Sequence, residues 1–268
     1  MKIAITGHTS GLGKGLYEQL GALGHEVYGY STSTGFDIND EVHRHKIIGE
    51  CKDADLFINN AFGFIDPNAP SVRAFAKQTK KERTVPTEFG QVKLFEMFKD
   101  AWENDKSKYI INISSDITER NINNSPGIKV YWFAKRLLNE ASIDAQNTMC
   151  LNLGAFESRM GNELPEWVVK ADVKHYVKYV IEIIENMHEF QVYDMLLNLP
   201  NEGDYALLHK KDPKKLENFL DFAHKDSVQY ANICNIYQED DSNIDKFIRF
   251  IVDNRFDLWP NRVKVRST

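Results

Sequence analysis

Cysteine is scarce in this sequence: Cys51, Cys150 and Cys234 are the only three among 268 residues. They are too few and too scattered for a disulfide framework or a cysteine-rich metal site, so buried reduced thiols are expected. The eight histidines include no pair spaced four apart, and no metal site is expected. No apolar run approaches the roughly 20 residues that a membrane span needs. The chain opens on a strand pattern, Lys2-Ile3-Ala4-Ile5, instead of a charged stretch and an apolar signal core. These absences predict no membrane partner and a cytoplasmic location. An excess of basic charge is missing too. The formal net charge is -6, which argues against a nucleic-acid partner. The basic runs at Lys77–Arg83 and Lys210–Lys215 have acidic neighbours and read as solvated surface. Glycine all but disappears late in the chain, where only Gly203 follows Gly161. Tight turns and close ligand approach need glycine, so the ligand-cradling part is expected before that point.

What is present is an alternation of short apolar runs and helical patterns. Ile3–Thr6 precedes a helix through Gly13–Leu23, and Val27–Tyr30 precedes one near Glu41–Cys51. Leu56–Asn59 is followed by a helix around Glu88–Glu103, and Tyr109–Ser114 by one through Tyr131–Ala145. Met149–Leu153, a helix at Val173–Asn186 and a strand near Tyr193–Leu199 complete the series. The pattern predicts an α/β fold with a doubly wound parallel β-sheet and right-handed crossovers. Strands buried on both faces read as near-continuous apolar runs, as these do. From Glu202 onward the pattern turns helical and polar, with stripes at Leu216, Phe219, Leu220 and Ala223 and at Ile244, Phe247, Ile248, Ile251 and Val252. The expected organisation is a domain over 1–201 and a helical extension over 202–268.

Strand Ile3–Thr6 runs straight into Thr6-Gly7-His8-Thr9-Ser10-Gly11-Leu12-Gly13 and then a helix. The chain must turn sharply there, let a pyrophosphate approach the backbone, and start a helix whose free N–H groups face the anion. Gly7, Gly11 and Gly13 supply those three needs. A dinucleotide is the ligand class this arrangement predicts.

Carbonyl reduction needs a proton donor on the substrate oxygen. A tyrosine can act if a nearby ammonium draws its pKa down toward the working range. Tyr131-Trp132-Phe133-Ala134-Lys135 puts Tyr131 and Lys135 on one helix face. Upstream, Ile110-Ile111-Asn112-Ile113-Ser114-Ser115 ends a strand with two hydroxyls.

These motifs together resemble the short-chain dehydrogenase/reductase family, whose Rossmann domain would cover about residues 1–201. The glycine spacing is similar to that family's. Asn59-Asn60-Ala61, followed by Phe62-Gly63, resembles its Asn-Asn-Ala-Gly, and Asp37-Ile38 resembles its adenine-contacting acid after a third strand. The resemblance implies that Ser115 orients the substrate oxygen, with Ser114 as the neighbouring candidate. Tyr131 would be the general acid/base, and Lys135 would hold the nicotinamide ribose and depress the pKa of Tyr131. It further implies cofactor contacts from Gly7, Ser10, Gly11, Leu12, Gly13, Asp37, Asn60, Ala61 and Ser158. Ser31 and Thr32 end the second strand in hydroxyls with no acid before Asp37, which suits a 2′-phosphate; NADP is expected, with NAD possible. Two positions depart from the pattern. The family's helix Asn has no match between Val85 and Glu103, where Glu88, Gln91 and Lys93 are the polar choices, and its Pro-Gly reads Leu153-Gly154 here.

The expected function is hydride transfer between nicotinamide and a small-molecule ketone or secondary alcohol. A non-catalytic dinucleotide-binding sensor or scaffold is the alternative, and a nucleotide-sugar epimerase or dehydratase a weaker one. By analogy with the family, a homodimer or homotetramer is expected through the helices at Glu88–Glu103 and Tyr131–Ala145.

Overall fold

The computed structural model describes residues 1–63, 88–119, 126–143, 145–156, 172–187, 192–198, 236–237 and 259–265. Two compact units divide the chain, Met1–Cys150 and Leu151–Thr268. The expected boundary at Asn201 does not coincide with that division, which falls within the fifth strand.

The first unit alternates strand and helix: β1 (Lys2–Thr6), α1 (Gly11–Ala22), β2 (Glu26–Tyr30), α2 (Glu41–Glu50), β3 (Leu56–Asn59), α3 (Gly90–Trp102), β4 (Tyr109–Ser115), α4 (Pro126–Ile143) and β5 (Thr148–Leu153). Its strands lie in the order β2-β1-β3-β4-β5. The pairings are parallel, with Ile3 opposite both Val27 and Leu56, and Phe57 opposite Ile110. This is a Rossmann sheet. Because β1 feeds β2 on one side and β3 lies on the other, the strand order reverses at β1. The crevice outside the carboxyl ends of β1 and β3 is where such sheets take ligands.

Sequence dictates the layering. Ile3, Ala4, Ile5, Leu56, Phe57 and Ile58 are fully buried, because helices cover a parallel sheet on both faces. Helix α3 turns Val92, Phe95, Phe98 and Trp102 inward at helical spacing, and Phe98 stacks on Phe57 with ring centroids 3.7 Å apart. Each large apolar side chain so buried contributes about 1.5–3 kcal/mol. Asp40 caps α2 by accepting from the backbone N–H groups of Val42 and His43. Cys51 and Cys150 are buried and unbridged. Cys51 donates to the Tyr30 hydroxyl at 3.2 Å, and burial pushes its thiol up to about 11.

Between β2 and Asp37, Thr32–Thr34 forms a single 3-10 turn, closed by Gly35 at φ 88°. The hydroxyls of Ser31 and Thr34 bond this turn to itself in place of a ladder.

The second unit contains the end of β5, α5 (Val173–Asn186), β6 (Val192–Asn198), β7 (Ile236–Tyr237) and β8 (Trp259–Val265), with strand order β5-β6-β8-β7. Helix α5 buries Tyr176, Val177, Val180, Ile181 and Ile184, a stripe of helical period. The expected purely helical tail is corrected here. Strand β8 pairs antiparallel with β6, and β7 pairs parallel with β8. Val263 and Val265 alternate with charged residues, the period of a strand. Pro260, which has no N–H to give, sits opposite Leu197 next to a register shift. The two tail helices expected near 216–223 and 244–252 lie outside the described residues. Among the described residues no helix is long and apolar enough to cross a membrane.

Candidate active site

The glycine turn leaves β1 at the reversal point. Gly7 and Gly11 both have positive φ, 75° and 54°, a region that L side chains enter at a cost. Gly13 is needed for a different reason. A Cβ there would lie 2.3 Å from the Gly7 carbonyl oxygen and 2.6 Å from Asn60 Nδ2. Helix α1 opens at Ser10, whose side chain makes no capping bond, and its first turn carries no acidic residue. Its leading N–H groups are therefore not capped by a side chain, and its dipole is not countered by a nearby anion. A bare backbone cradle against a helix N-terminus fits a pyrophosphate.

The end of β3 is stapled to this turn. Thr6 Oγ1 accepts from the backbone N–H groups of Asn60 (3.0 Å) and Ala61 (2.9 Å), and Asn60 Nδ2 donates to the Thr6 carbonyl at 2.9 Å. The structure thus brings Gly7, Gly13, Asn60 and Ala61 together, with Leu12 buried behind them. At the end of β2, Ser31 is buried and bonds Ser33 at 2.9 Å, while Thr32 is exposed. Ser33 in turn donates to Thr9 of the glycine turn at 3.1 Å. Asp37 is half-buried and accepts from the Asn39 N–H at 2.9 Å. Ser158 lies outside the described residues.

Helix α4 and the end of β4 carry the other candidates. The Ser115 side chain stands close enough to Tyr131 to lower its pKa, so Ser115, and not its buried neighbour Ser114, faces the tyrosine. The Ser115 hydroxyl donates to Asp116 Oδ1 at 3.4 Å and accepts from the Ile117 N–H at 3.3 Å. Ser114 Oγ finds no partner among the described residues. Burial, opposed by the Ser115 side chain and reinforced by the Asp116 carboxylate, pushes Tyr131 up to about 12.

Lys135 is buried, and its Nζ donates to Gln91 Oε1 and to the Ile113 carbonyl, both at 2.8 Å. Burial brings it down to about 7. Tyr131 is shifted by burial, Ser115 and Asp116, and the expected lowering by Lys135 is not among these causes.

Gln91 is the residue that sequence reasoning left open. It stands at the start of α3, where the expected helix Asn has no match. Its Nε2 donates to the carbonyls of Asn59 (2.8 Å) and Ile113 (3.0 Å), leaving Oε1 for the lysine. Asn59 Nδ2 donates to the Gln91 carbonyl and to Asn112 Oδ1, and Asn112 Nδ2 to Ser142 Oγ. A buried polar chain therefore joins β3, α3, β4 and α4 beneath Lys135, with Asn59 Oδ1 lacking a partner among the described residues. Its only sequence signal was an amide among three polar choices.

The depressed lysine makes stability depend on pH. In the unfolded chain Lys135 keeps its proton up to its ordinary value of 10.5; in the fold it loses it near 7. Between those values the unfolded chain holds more protons, so stability rises with pH, by up to about 1.4 kcal/mol per unit. Lys135→Met should flatten this slope between pH 7 and 10 in urea-unfolding curves. A parental slope in the variant would show that Lys135 is not the group responsible.

No family model matches the sequence, and no curated protein matches it either. Solved structures do match. One is the 3-alpha-hydroxysteroid dehydrogenase from Pseudomonas sp. B-0831 complexed with NADH, at 15% identity and a TM-score of 0.54, covering 79% of this chain and 99% of that one. A short chain dehydrogenase from Burkholderia cenocepacia in complex with NADP is 20% identical with a TM-score of 0.55, covering 81% and 98%. A ribose-5-phosphate isomerase from Brucella melitensis matches at 14% identity and a TM-score of 0.52, covering 70% and 86%. The chain has the Rossmann α/β fold of the short-chain dehydrogenases and reductases.

Proposed function

We propose that this protein is an NAD(P)-dependent oxidoreductase that moves a hydride between nicotinamide and a ketone or secondary alcohol. The observation that carries the reading is the placement of Tyr131 beside Ser115, with Lys135 one helical turn away and its Nζ 5.4 Å from the Tyr131 ring centre, in the unit that carries the glycine cradle. The dehydrogenases of the same fold crystallised with NADH and NADP support the cofactor class.

Gly7, Gly11 and Gly13, with the start of α1 from Ser10 and Leu12, would hold the pyrophosphate. Ser31 and Thr32 would meet the adenosine ribose, Asp37 the adenine, and Asn60 and Ala61 the sugar between. Lys135 would reach the nicotinamide ribose and Ser158 the carboxamide. The bound nicotinamide supplies or accepts the hydride. Ser115 holds the substrate oxygen beside the Tyr131 hydroxyl. In reduction Tyr131 gives its proton to that oxygen, and the hydride and proton together convert the carbonyl to an alcohol. Held near 12 in the free protein, Tyr131 carries its proton at neutral pH but lies further from the working range than an unperturbed tyrosine.

The hydroxyls at the end of β2, with no carboxylate among Ser31–Thr34, favour NADP over NAD. Titration calorimetry with NADPH and NADH tests this: NADPH is expected to bind at least about tenfold more tightly. Equal or reversed affinities would reverse the cofactor assignment, and no binding of either would remove the oxidoreductase reading. A non-catalytic dinucleotide-binding protein is the second reading. It is favoured by one observation, that both hydrogen bonds of Lys135 go to the protein itself. A homodimer or homotetramer assembled through α3 and α4 completes the proposal.

A further inference from the structure

The sequence places a phenylalanine, Phe62, where the family pattern has its glycine after Asn-Asn-Ala, and the structure shows where that ring goes. It stands edge-on to the Tyr131 ring, with centroids 4.8 Å apart and planes at 78°. Lys135 Nζ lies 5.4 Å from the centre of the Phe62 ring and 5.4 Å from that of Tyr131. The amine is thus flanked by two aromatic rings, while its hydrogen bonds are spent on Gln91 and Ile113. The backbone on either side of Phe62 is fixed. Ala61 is bonded to Thr6, and Gly63 packs so close to Asn39 that a Cβ would fall 2.5 Å from its Oδ1. With both flanks held, the ring has one inexpensive way to move, a change of its own rotamer.

We infer that Phe62 is a specificity-determining residue of the nucleotide site: its ring fills the space beside Lys135 and must be displaced before the nicotinamide half of a dinucleotide can engage that lysine. This rests on the proposed nucleotide-binding function. The adenosine half, held at the glycine turn and the end of β2, is untouched by the ring. Ligands that stop at the adenosine diphosphate therefore bind at full strength, and whole dinucleotides bind at an affinity lowered by the fraction of molecules in which the ring is swung away. The edge-on contact with Tyr131 and the contact with the Lys135 amine, both given up when the ring swings, set that reduction at about tenfold.

The test compares the parent with Phe62→Ala and with Phe62→Leu, which keeps most of the apolar volume. Each is titrated by calorimetry with NADPH, NADH, ADP and 2′,5′-ADP. Expected is a gain of about tenfold for the preferred dinucleotide in Phe62→Ala, a smaller gain in Phe62→Leu, and no change beyond about twofold for the two fragments. Unchanged or weakened dinucleotide binding, or an equal shift for fragments and dinucleotides, overturns the inference. A second measurement needs no nucleotide: the rate at which Lys135 is reductively methylated, followed by mass spectrometry at neutral pH. Faster modification in Phe62→Ala than in the parent is expected, and equal rates overturn the inference. The two failures remain distinguishable. If neither protein binds any fragment or dinucleotide, the nucleotide reading falls, and the methylation rates alone decide on the ring.

Discussion

Tyr131→Phe lowers carbonyl reduction by about a thousandfold and leaves dinucleotide affinity within about threefold of the parent. The substitution removes one oxygen and keeps the ring, so the edge-on contact with Phe62 and the position of α4 survive. What is lost is the proton that meets the developing alkoxide, together with the phenol oxygen that faces Ser115. A positioned proton donor contributes 10²–10⁴-fold in reactions of this kind, which sets the expected size. The check is kcat on a carbonyl compound that the parent reduces, beside calorimetry on both proteins. Full turnover in the variant would show that another group delivers the proton. The same phenol fixes the pH dependence. Because it titrates near 12 in the free protein, Tyr131 itself should impose no pH dependence on reduction by the parent between 6 and 9. Alcohol oxidation, which needs the phenolate, should rise with pH throughout that range.

Gly13→Ala abolishes nucleotide binding at accessible concentrations, by about a hundredfold or more in affinity. The added carbon meets the Gly7 carbonyl oxygen at 2.3 Å and Asn60 Nδ2 at 2.6 Å. The first of these is backbone and cannot rotate aside. The turn must open, and the N–H groups of α1 then lose their common aim on the pyrophosphate. One or two charge-assisted hydrogen bonds, at about 1.5–3 kcal/mol each, account for a hundredfold loss. Stability falls as well, by about 1–3 kcal/mol, as overpacked sites do. Calorimetry with NADPH and a thermal melt measure the two effects separately. Binding retained within a factor of three, in a variant that still folds, would mean that the turn does not cradle the ligand.

The regular part of this fold was legible because its signals are local. Leu56–Asn59 and Val173–Asn186 are read from the sequence at the bounds the structure gives. Helix α4 begins at Pro126, five residues before the expected start. Proline is at home in a helix's first turn, and the apolar periodicity that marks the helix strengthens only later. The tail misled for a different reason. Strand β8 owes its state to β6, a partner more than sixty residues back, and Pro260 weakens the strand pattern taken alone. In the candidate site, spacing along one helix predicts the pairing of Tyr131 with Lys135. Spacing does not reveal which buried amide the lysine would choose, since Gln91 reaches it from another helix. Nor does it reveal that Phe62 would turn toward α4. Both depend on packing across the sheet, a property of three dimensions that no window of sequence contains.

The pairing of β6 with β8 has a consequence for how the molecule comes into being. Until Trp259–Val265 leaves the ribosome, the hydrogen-bonding edge of Val192–Asn198 that β8 will cover has no partner. A nascent chain, or one cut short near Asn201, would carry that edge uncovered, a template for joining other chains. Trp259–Val265 is therefore the strip that covers this edge of β6. Because the two strands lie more than sixty residues apart, completion of this sheet carries the slow kinetics of long-range strand pairing.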